Sequence, residues 1–437
     1  MQHHQILEVL NDWNFWKKDI ETGFKREDYL SRLKRLAELN EIVIITGVRR
    51  SGKSTLLLQY CKGLLERGVR KEDILIVNFE DPRLKELNRD LLNKIYEVYL
   101  SELSPHNEHY VVLDEVQVID GWEKFARYLH ENKKVNVFVT GSSSKLLSFE
   151  YATVLAGRHV DMEVFPLSFK EFLQFHGIIT HSLLDVSSQR HKIKRAFKEY
   201  LQWGGFPKIA LTTTDAGKRE LLSAYFRDIV VKDIVMRYKI KELEKLEELA
   251  KYYLTNISNM QSFNSIKKML NMNLDTVERF SYYLTYAHML FFIKKFSYSK
   301  KEQIVNPRKV YAIDLGLRNS VSFVFSKDHG RLAENIVFSE LKKKQDEIYY
   351  WRDQKQREVD FVVKQKTRIH QLIQVCWDAE DLQTKERETK PLIAAAKALK
   401  CNNLIVITED FENEEKIDKK KITFVPLWKW LLAKESI

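Results

Sequence analysis

Five short apolar runs alternate with helical patterns over the first 170 or so residues of the chain. Each run is continuous and four to six residues long, as expected for strands that are buried on both faces. The runs are Ile42–Thr46, Ile74–Phe79, Tyr110–Glu115, Asn136–Gly141 and Met162–Phe165. Because strands that alternate with helices usually pair in parallel, this pattern predicts an α/β domain with one parallel sheet and helices on both of its faces.

The pattern changes after the last of these runs. From about Pro166 to Tyr238 the apolar residues recur at helical spacing, interrupted by a turn at 204–208, which predicts a small helical lid. Residues 242–315 predict helices followed by two strands, Leu290–Ile293 and Lys309–Ile313, which is the order of a winged helix. A winged helix binds DNA or another protein, and both remain open here. A basic wing would contain Lys294, Lys295, Lys300, Lys301 and Arg308.

A loop with the spacing G-x-x-x-x-G-K-[ST] follows the first strand, formed by Gly47, Gly52, Lys53 and Ser54. In this motif the glycines let backbone N–H groups face phosphate oxygens, the lysine reaches the β- and γ-phosphates, and the hydroxyl binds Mg²⁺. The next helix directs its positive N-terminus at the same anion. We therefore expect ATP and Mg²⁺ here, with nucleotide contacts from Gly47, Val48, Arg49, Arg50, Ser51, Gly52, Lys53, Ser54 and Thr55.

The third apolar run ends in two acids, Asp114 and Glu115. A buried strand that finishes in this way suits a site in which the aspartate holds Mg²⁺ and the glutamate polarises the attacking water. Asp114 would then share the metal with Ser54. Since this run lies about sixty residues after the loop, the two elements together predict ATP hydrolysis rather than binding alone.

Composition adds a weaker indication about partners and location. The chain has 437 residues with 72 Lys and Arg against 61 Asp and Glu, a formal net charge of +11, which favours a polyanion such as DNA. An AT-rich genome would also raise the lysine content. The three cysteines Cys61, Cys376 and Cys401 lack paired or metal-ligand spacing, which fits a cytoplasmic protein. No apolar run approaches the ~18–20 residues that span a bilayer, so no membrane partner is expected.

Several stretches together resemble a known family. The chain is similar to the AAA-type ATPases of bacteria and archaea whose second half is an uncharacterised domain with a restriction-endonuclease-like core. The resemblance runs from about residue 40 to about residue 410. In chain order it is carried by TGVRRSGKSTLL, NFEDPR, YVVLDEVQ, VFVTGSSS, LAGRHVDMEVFPLSFKEF, WGGFPK, KVYAIDLGL and EVDFVV.

The resemblance implies further roles in catalysis. Thr140, at the end of the fourth strand, is similar to the sensor of the γ-phosphate, with Ser142 as the alternative. Asn78 corresponds to a polar residue that restrains the catalytic glutamate. Arg158 has the position of an arginine finger, which acts on the nucleotide of a neighbouring subunit and requires a homo-oligomer, such as a hexamer. The alternative for Arg158 is a structural arginine that binds helix-terminal carbonyls. Arg227 and Arg237 are candidates for a second sensor only by their location.

The C-terminal part resembles nucleases of the PD-(D/E)xK type, in which acids hold Mg²⁺ and a lysine orients water. Glu334 on a helix and Asp360 at the opening of a strand match two of the acids. In LIQVCWD, however, the third acid position is Gln374 and the lysine position is Cys376. An amide is a poor Mg²⁺ ligand and cysteine supplies no cation, so we predict a degenerate, inactive core. Cys376 as a nucleophile is the alternative to a buried, structural cysteine.

These interpretations define the expected organisation and function. We expect an N-terminal helical segment (1–30), an AAA-type ATPase core (31–167), a helical lid (168–240), a winged-helix-like domain (241–318) and a degenerate endonuclease-like domain (319–437). The expected activity is ATP hydrolysis by an oligomer that binds or remodels duplex or branched DNA. The rival hypothesis is a nucleotide-dependent signalling or defence switch that acts on a protein partner. A DNA-cleaving enzyme is the third.

Overall fold

The computed structural model describes residues 1–133, 135–142, 153–180, 182–322, 329–344 and 346–433. The chain forms two compact units, Met1–Val164 and Phe165–Ile437. In the described residues, no helix is both long enough and apolar enough to cross a membrane.

The first unit contains the parallel sheet that the apolar runs predict. Its strands are β1 (Ile42–Thr46), β2 (Ile74–Asn78), β3 (Tyr110–Asp114), β4 (Asn136–Thr140) and β5 (His159–Glu163), in the spatial order β2-β3-β4-β1-β5 and all parallel. Its helices are α1 (His3–Trp13), α2 (Glu27–Ala37), α3 (Lys53–Leu65), α4 (Arg89–Leu103) and α5 (Trp122–Lys133). Two apolar clusters, one on each face of the sheet, form the core.

Strand β5 begins earlier than the apolar run that predicts it. The run was Met162–Phe165, whereas the strand pairs with β1 from His159 to Glu163. It is an edge strand in which only Met162 is buried, and His159, Asp161 and Glu163 are polar, so the strand gives little apolar signal. At the opposite edge, the Asn14 amide donates to the carbonyl of Ile76 and accepts from its N–H, at 2.8 and 2.7 Å. The N-terminal segment therefore covers part of β2, which would otherwise be an open edge.

The second unit begins with helices and ends with a large sheet. The helices are α6 (Phe169–Phe175), α7 (Leu183–Ser188), α8 (Arg190–Trp203), α9 (Pro207–Ala210), α10 (Asp215–Asp228), a π-helix (Ile229–Val235), α11 (Met236–Tyr238), α12 (Leu243–Thr255), α13 (Phe263–Met269), α14 (Leu274–Tyr286), α15 (Lys300–Val305), α16 (Leu315–Val321), α17 (His329–Lys343), α18 (Leu382–Ala398) and α19 (Leu427–Trp430). The helices that were predicted within residues 242–315, ahead of the two strands, correspond to α12, α13 and α14.

Nine strands of this unit form one sheet. They are β6 (Met260–Gln261), β7 (Leu290–Lys295), β8 (Arg308–Ala312), β9 (Glu347–Arg352), β10 (Glu358–Gln365), β11 (Arg368–Val375), β12 (Leu404–Thr408), β13 (Asn413–Ile417) and β14 (Lys420–Pro426), in the order β13-β14-β12-β11-β10-β9-β7-β8-β6. Strand β7 pairs with β8 and, in parallel, with β9. The segments predicted as a winged helix and as an endonuclease-like domain therefore share one sheet.

Two local predictions differ from this sheet. The segment expected as a basic wing is not a plain loop, because Lys294 and Lys295 belong to β7 and helix α15 occupies much of the connection to β8. The stretch FVPLWKWLL near the C-terminus predicts one helix, but the observed helix is shorter. Phe424 and Val425 pair with β12 as part of β14, which leaves only Leu427–Trp430 in α19.

Two of the stretches that carry the resemblance, WGGFPK and KVYAIDLGL, contact each other inside this unit. The Asp314 carboxylate caps α16 by accepting from the N–H of Leu317 at 3.1 Å and also accepts from the N–H of Gly205 at 2.6 Å. Burial raises the pKa of Asp314 to about 6 against the effect of these amide bonds. A Cβ on Gly316 would lie 2.0 Å from the carbonyl oxygen of Trp203, so glycine is needed for this close approach. These motifs therefore have a packing role.

Candidate nucleotide site and carboxylate–lysine centre

The loop between β1 and α3 needs its first glycine for two reasons. Gly47 has φ +141°, a backbone conformation that side chains disfavour, and a Cβ there would lie 2.2 Å from the carbonyl oxygen of Val164. Gly52 is the left-handed residue that begins α3, with φ +96°. The chain thus turns sharply enough to present the N-terminus of α3, whose first N–H groups have no acceptor within the helix.

Lys53 lies folded back over this loop. Its side chain is 3% exposed, and its Nζ donates to the carbonyls of Gly47 at 3.0 Å and Val48 at 3.2 Å. The same ammonium lies 4.0 Å from Oε1 of Glu115. Lys53 therefore joins the loop to the acidic end of β3, where phosphate oxygens would compete for its three donors.

Asp114 is the centre of a group of polar side chains from three elements. Its Oδ1 accepts from the hydroxyl of Ser54 on α3 at 3.0 Å and from that of Thr140 on β4 at 2.5 Å. Burial, followed by the charge of Glu115, raises the pKa of Asp114 to about 6, and the two hydroxyl bonds oppose this rise. The structure therefore brings together the residues predicted as metal ligands and the residue predicted as sensor.

Glu115 follows at the start of a short 3₁₀ turn in a left-handed conformation, φ +54°. Its N–H donates to the hydroxyl of Thr140 at 3.0 Å, and its Oε2 accepts from the side-chain amide of Gln117 at 2.6 Å. Asn78 lies in register beside Asp114, and its own side-chain oxygen accepts from the N–H of Glu80. Within the described residues, Gln117 rather than Asn78 thus bonds the glutamate.

The residues around the loop fit a bound nucleotide with Mg²⁺. Buried hydroxyls on both sides, Thr46 Oγ1 and Ser51 Oγ, have no hydrogen-bond partner within the described part of the chain. The Ser54 hydroxyl oxygen and the Asp114 carboxylate oxygen lie 3.0 Å apart, close enough to be ligands of the same hard cation. Arg26 supports the loop from outside by donating to the carbonyl of Ser51 at 3.0 Å, a contact that no sequence motif predicts.

The remaining loop residues differ in exposure. Arg49 pairs with Glu80 at 2.8 Å, and Arg50 has φ +69°. Val48 is fully buried and Thr55 is exposed. Ser142, the alternative sensor, is buried beyond the end of β4.

Arg158 lies at the other end of the sheet. It immediately precedes β5, and its carbonyl accepts from the N–H of Ile42, the first residue of β1. The loop follows the last residue of β1, so the two are separated by a five-residue strand, about 15 Å in length. The guanidinium is 37% exposed, pairs with Glu131 and donates to the carbonyl of Ala156. Arg158 is therefore remote from the nucleotide loop of its own chain and accessible at the surface of its unit.

A second polar centre lies in the sheet of the other unit. Lys309 of β8 is buried, and its Nζ lies 2.8 Å from Glu334 of α17, 2.8 Å from Asp360 of β10 and 2.7 Å from Glu358. The hydroxyl of Tyr311 donates to Glu334 at 2.7 Å. The two acids predicted from the nuclease pattern are thus brought together, but around an ammonium group from a strand that this pattern does not include.

Asp360 lies within β10 rather than at its opening, beside a shift in the pairing of β10 with β9. Its Oδ2 accepts from the N–H of Val375, and its own N–H donates to Gln374 at 3.2 Å. Gln374 also donates to Glu388 of α18 at 2.8 Å. The amide at the third acid position therefore accepts from the backbone of Asp360 and donates to the carboxylate of Glu388, and an ionised carboxylate could not make the second of these bonds.

The ionisation of this centre follows from burial and crowding. Burial, followed by the charge of Asp360, raises the pKa of Glu334 to about 8, and Lys309 opposes this rise. Burial alone would lower the pKa of Lys309. The negative charges of Asp360 and Glu334 outweigh this effect and raise the pKa above its usual value. Burial raises the pKa of Cys376 to about 12, so this thiol is not activated as a nucleophile. In the described residues, no group of three or more His, Cys, Asp or Glu side chains is placed to hold a metal ion.

The sheet, the loop and the acidic strand end define a P-loop ATPase of the AAA type, and family models agree with this class. An AAA domain matches residues 39–173. Two domains of unknown function, DUF8612 and DUF4143, match residues 194–328 and 329–430.

Relatives extend over nearly the whole chain. The "Uncharacterized protein MJ1544" of Methanocaldococcus jannaschii is 35% identical over 408 residues, which cover 90% of this chain and 89% of the relative. An "Uncharacterized protein" of Haemophilus influenzae is 29% identical and covers 92% of this chain and 98% of the relative. The solved Walker-type ATPase PABY2304 of Pyrococcus abyssi aligns with a TM-score of 0.42 at 14% identity, covering 68% of this chain and 95% of that chain. The chain belongs to the same family as the M. jannaschii protein.

Proposed function

We propose that the chain is a Mg²⁺-dependent ATPase that acts as an oligomer and binds or remodels DNA. The observation that carries the ATPase proposal is that the hydroxyls of Ser54 and Thr140 both donate to one carboxylate oxygen of Asp114. Lys53 and Glu115 lie beside this group. These side chains come from three neighbouring elements at the carboxyl ends of parallel strands, which is where ligands bind in open α/β sheets.

Each residue has a distinct part in this proposal. Lys53 exchanges its loop carbonyls for phosphate oxygens, and Ser54 and Asp114 orient the metal. Bound Mg²⁺ would neutralise negative charge that develops in phosphoryl transfer. Glu115 orients the attacking water and accepts its proton, and Gln117 holds the carboxylate until the water is in place. Thr140 links the two acids through its single hydroxyl.

Arg158 supports the oligomeric part of the proposal. Because it lies about 15 Å from the loop of its own chain, it can complete only the site of another subunit. In such a complex it would leave Glu131 and stabilise the negative charge of the transferring phosphoryl group.

A mixing experiment tests this trans arrangement. Arg158→Ala and Glu115→Gln should each be nearly inactive alone, whereas mixed oligomers should regain turnover, because some interfaces combine an intact Glu115 with an intact Arg158. The measurement is ATP turnover against the mixing ratio, with Arg127→Ala as the control, since Arg127 pairs with the same Glu131. If the turnover of every mixture equals the weighted sum of the two variants measured alone, Arg158 does not act between subunits.

The DNA part of the proposal rests on charge and on the degenerate nuclease-like centre. The net charge of +11 favours a polyanion. Lys309 occupies the position between Glu334 and Asp360, so this centre is proposed to be inactive in cutting while its domain still contacts DNA. A metal-dependent cut that Asp360→Ala abolishes would instead support a nuclease.

The experiment for this proposal is ATP turnover with and without DNA. DNA should raise the rate of an ATPase that works on DNA. The signalling or defence switch predicts the opposite behaviour: slow turnover that DNA leaves unchanged, and a nucleotide that stays bound through purification.

A further inference from the structure

A large cavity lies inside the second unit, away from the carboxylate–lysine centre. Its volume is about 1370 Å³, above the roughly 300–1,000 Å³ of ordinary small-molecule pockets. Helix α8 forms one wall, and the other walls come from α10, α16, the start of α17 and the ends of strands in the C-terminal sheet. A cavity of this size suits a segment of a polymer better than a single metabolite.

One face of α8 makes the first wall basic. His191, Lys194, Arg195 and Lys198 recur at helical spacing and all line the cavity. Arg219 of α10 lines it as well. These side chains are on elements that buried apolar residues hold in place, so the positive charges are presented along a fixed row.

The acids of the cavity neutralise only part of this row. Asp410 pairs with Lys194 at 2.5 Å and also with Arg190, just outside the cavity, at 3.2 Å. Glu409 is the other acid of the lining. Arg195 and Lys198 are exposed and have no ion-pair partner within the described ranges, which leaves their charges available to a ligand.

Aromatic rings also line the cavity. The half-buried ring of Trp377 stacks on His329 with centroids 6.0 Å apart and planes 19° apart. Arg219 lies over the ring of Trp203, 5.8 Å from its centroid. Cations that track a phosphate backbone beside a ring that can stack on a base are the combination by which proteins hold single strands. A duplex, whose bases are stacked and paired, would leave the ring unused.

We propose that this cavity binds a short stretch of single-stranded nucleic acid. Arg195, Lys198 and Arg219 contact its phosphates, and Trp377 stacks on one of its bases. This proposal rests on the DNA-linked function proposed above and gives it a location outside the winged-helix-like segment, whose third helix, α14, contains a single basic residue, Arg279.

The test is fluorescence anisotropy of a labelled oligo-dT strand with the full chain, compared with a labelled duplex of equal length. The wild type should bind the strand more tightly than the duplex. Arg195→Gln combined with Lys198→Gln should weaken binding at least tenfold and reduce the slope of log affinity against log salt by about 1.4, since each phosphate contact on a single strand contributes about 0.7. Lys192→Gln is the matched control, because Lys192 is exposed on the same helix but does not line the cavity.

The stacking part has its own variants. Trp377→Ala should weaken binding about tenfold or more without changing the salt slope, and Trp377→Phe should restore most of the affinity. Equal loss in the Lys192 control, unchanged affinity in the double variant, or a preference for the duplex would overturn the proposal. So would an acidic peptide that competes with the strand at equal affinity.

The outcome separates this site from the function as a whole. ATP turnover without DNA should be the same in the wild type and in all of these variants. If DNA still raises turnover in the double variant as in the wild type, the cavity proposal fails while the proposed function stands. If the wild type hydrolyses ATP but retains neither strand nor duplex at low salt, the DNA function and the cavity site fail together.

Discussion

Replacing Glu115 by glutamine is expected to reduce ATP turnover by about 10²–10⁴-fold, while ATP binding persists. The glutamine keeps the size of the side chain and its contact with Gln117, but it cannot accept a proton from water. Lys53, Ser54 and Asp114 are untouched, so the loop should still hold Mg²⁺ and ATP. The measurements are the steady-state rate of phosphate release and the affinity for a fluorescent ATP analogue.

Glu108→Gln is the matched control, because Glu108 is exposed just before the opposite end of β3. This variant should retain the wild-type rate. A Glu115→Gln variant that turns over ATP at the wild-type rate would show that another group activates water. Loss of binding together with turnover would instead indicate that Glu115 shapes the loop.

Replacing Lys309 by methionine is expected to cost far more stability than removing a surface charge of the same sheet. It leaves Glu334, Asp360 and Glu358 close together without a counter-ion, in a buried site. Removing one partner of a buried ion pair typically costs about 3–5 kcal/mol. The measurement is the free energy of unfolding of the full chain in urea, followed by tryptophan fluorescence.

Lys364→Met on β10 is the control, since its pair with Glu347 is at the surface of the same sheet. It should cost less than about 1 kcal/mol. Adding Asp360→Asn and Glu334→Gln to Lys309→Met should recover part of the lost stability, because the repulsion between the acids is then removed. If Lys309→Met unfolds at the wild-type urea concentration, the ammonium does not hold this centre together.

The nucleotide loop and the parallel sheet could be predicted because their signals are local. A buried strand, the spacing from Gly47 to Ser54 and a strand that ends in Asp114 are each visible in a short window. The predicted bounds of β5 were shifted by about three residues, because an exposed edge strand has few apolar positions to mark it. Gln117 was missed because its contact with Glu115 depends on the 3₁₀ turn between them.

The carboxylate–lysine centre could be predicted only in part. Glu334 and Asp360 were identified by resemblance, but Lys309 is separated from them by 25 and 51 residues. One signal for it was present. In a strand, side chains two apart share a face, so Lys309 must point to the same side as Tyr311. Since Tyr311 is buried in an apolar stretch, a lysine on that face requires buried acids as partners.

The proposal that Arg158 acts between subunits rests on the topology of the sheet as well as on the motif. Its position before β5 is visible in the sequence, but its distance from the loop follows only from the parallel register of β5 with β1. That register places Arg158 and the loop between β1 and α3 at opposite ends of the strands. An arginine finger acting within one chain is therefore incompatible with the sheet.

The most direct test of the account is the initial rate of phosphate release from ATP by the full chain, with and without Mg²⁺ and with and without single-stranded DNA. We predict a rate that requires Mg²⁺, rises when DNA is added and is lost in Lys53→Ala at an unchanged melting temperature. A rate that persists in Lys53→Ala, or a wild type that releases no phosphate under any of these conditions, would contradict the assignment of an ATPase. A Mg²⁺-dependent rate that every DNA form leaves unchanged would contradict its coupling to DNA.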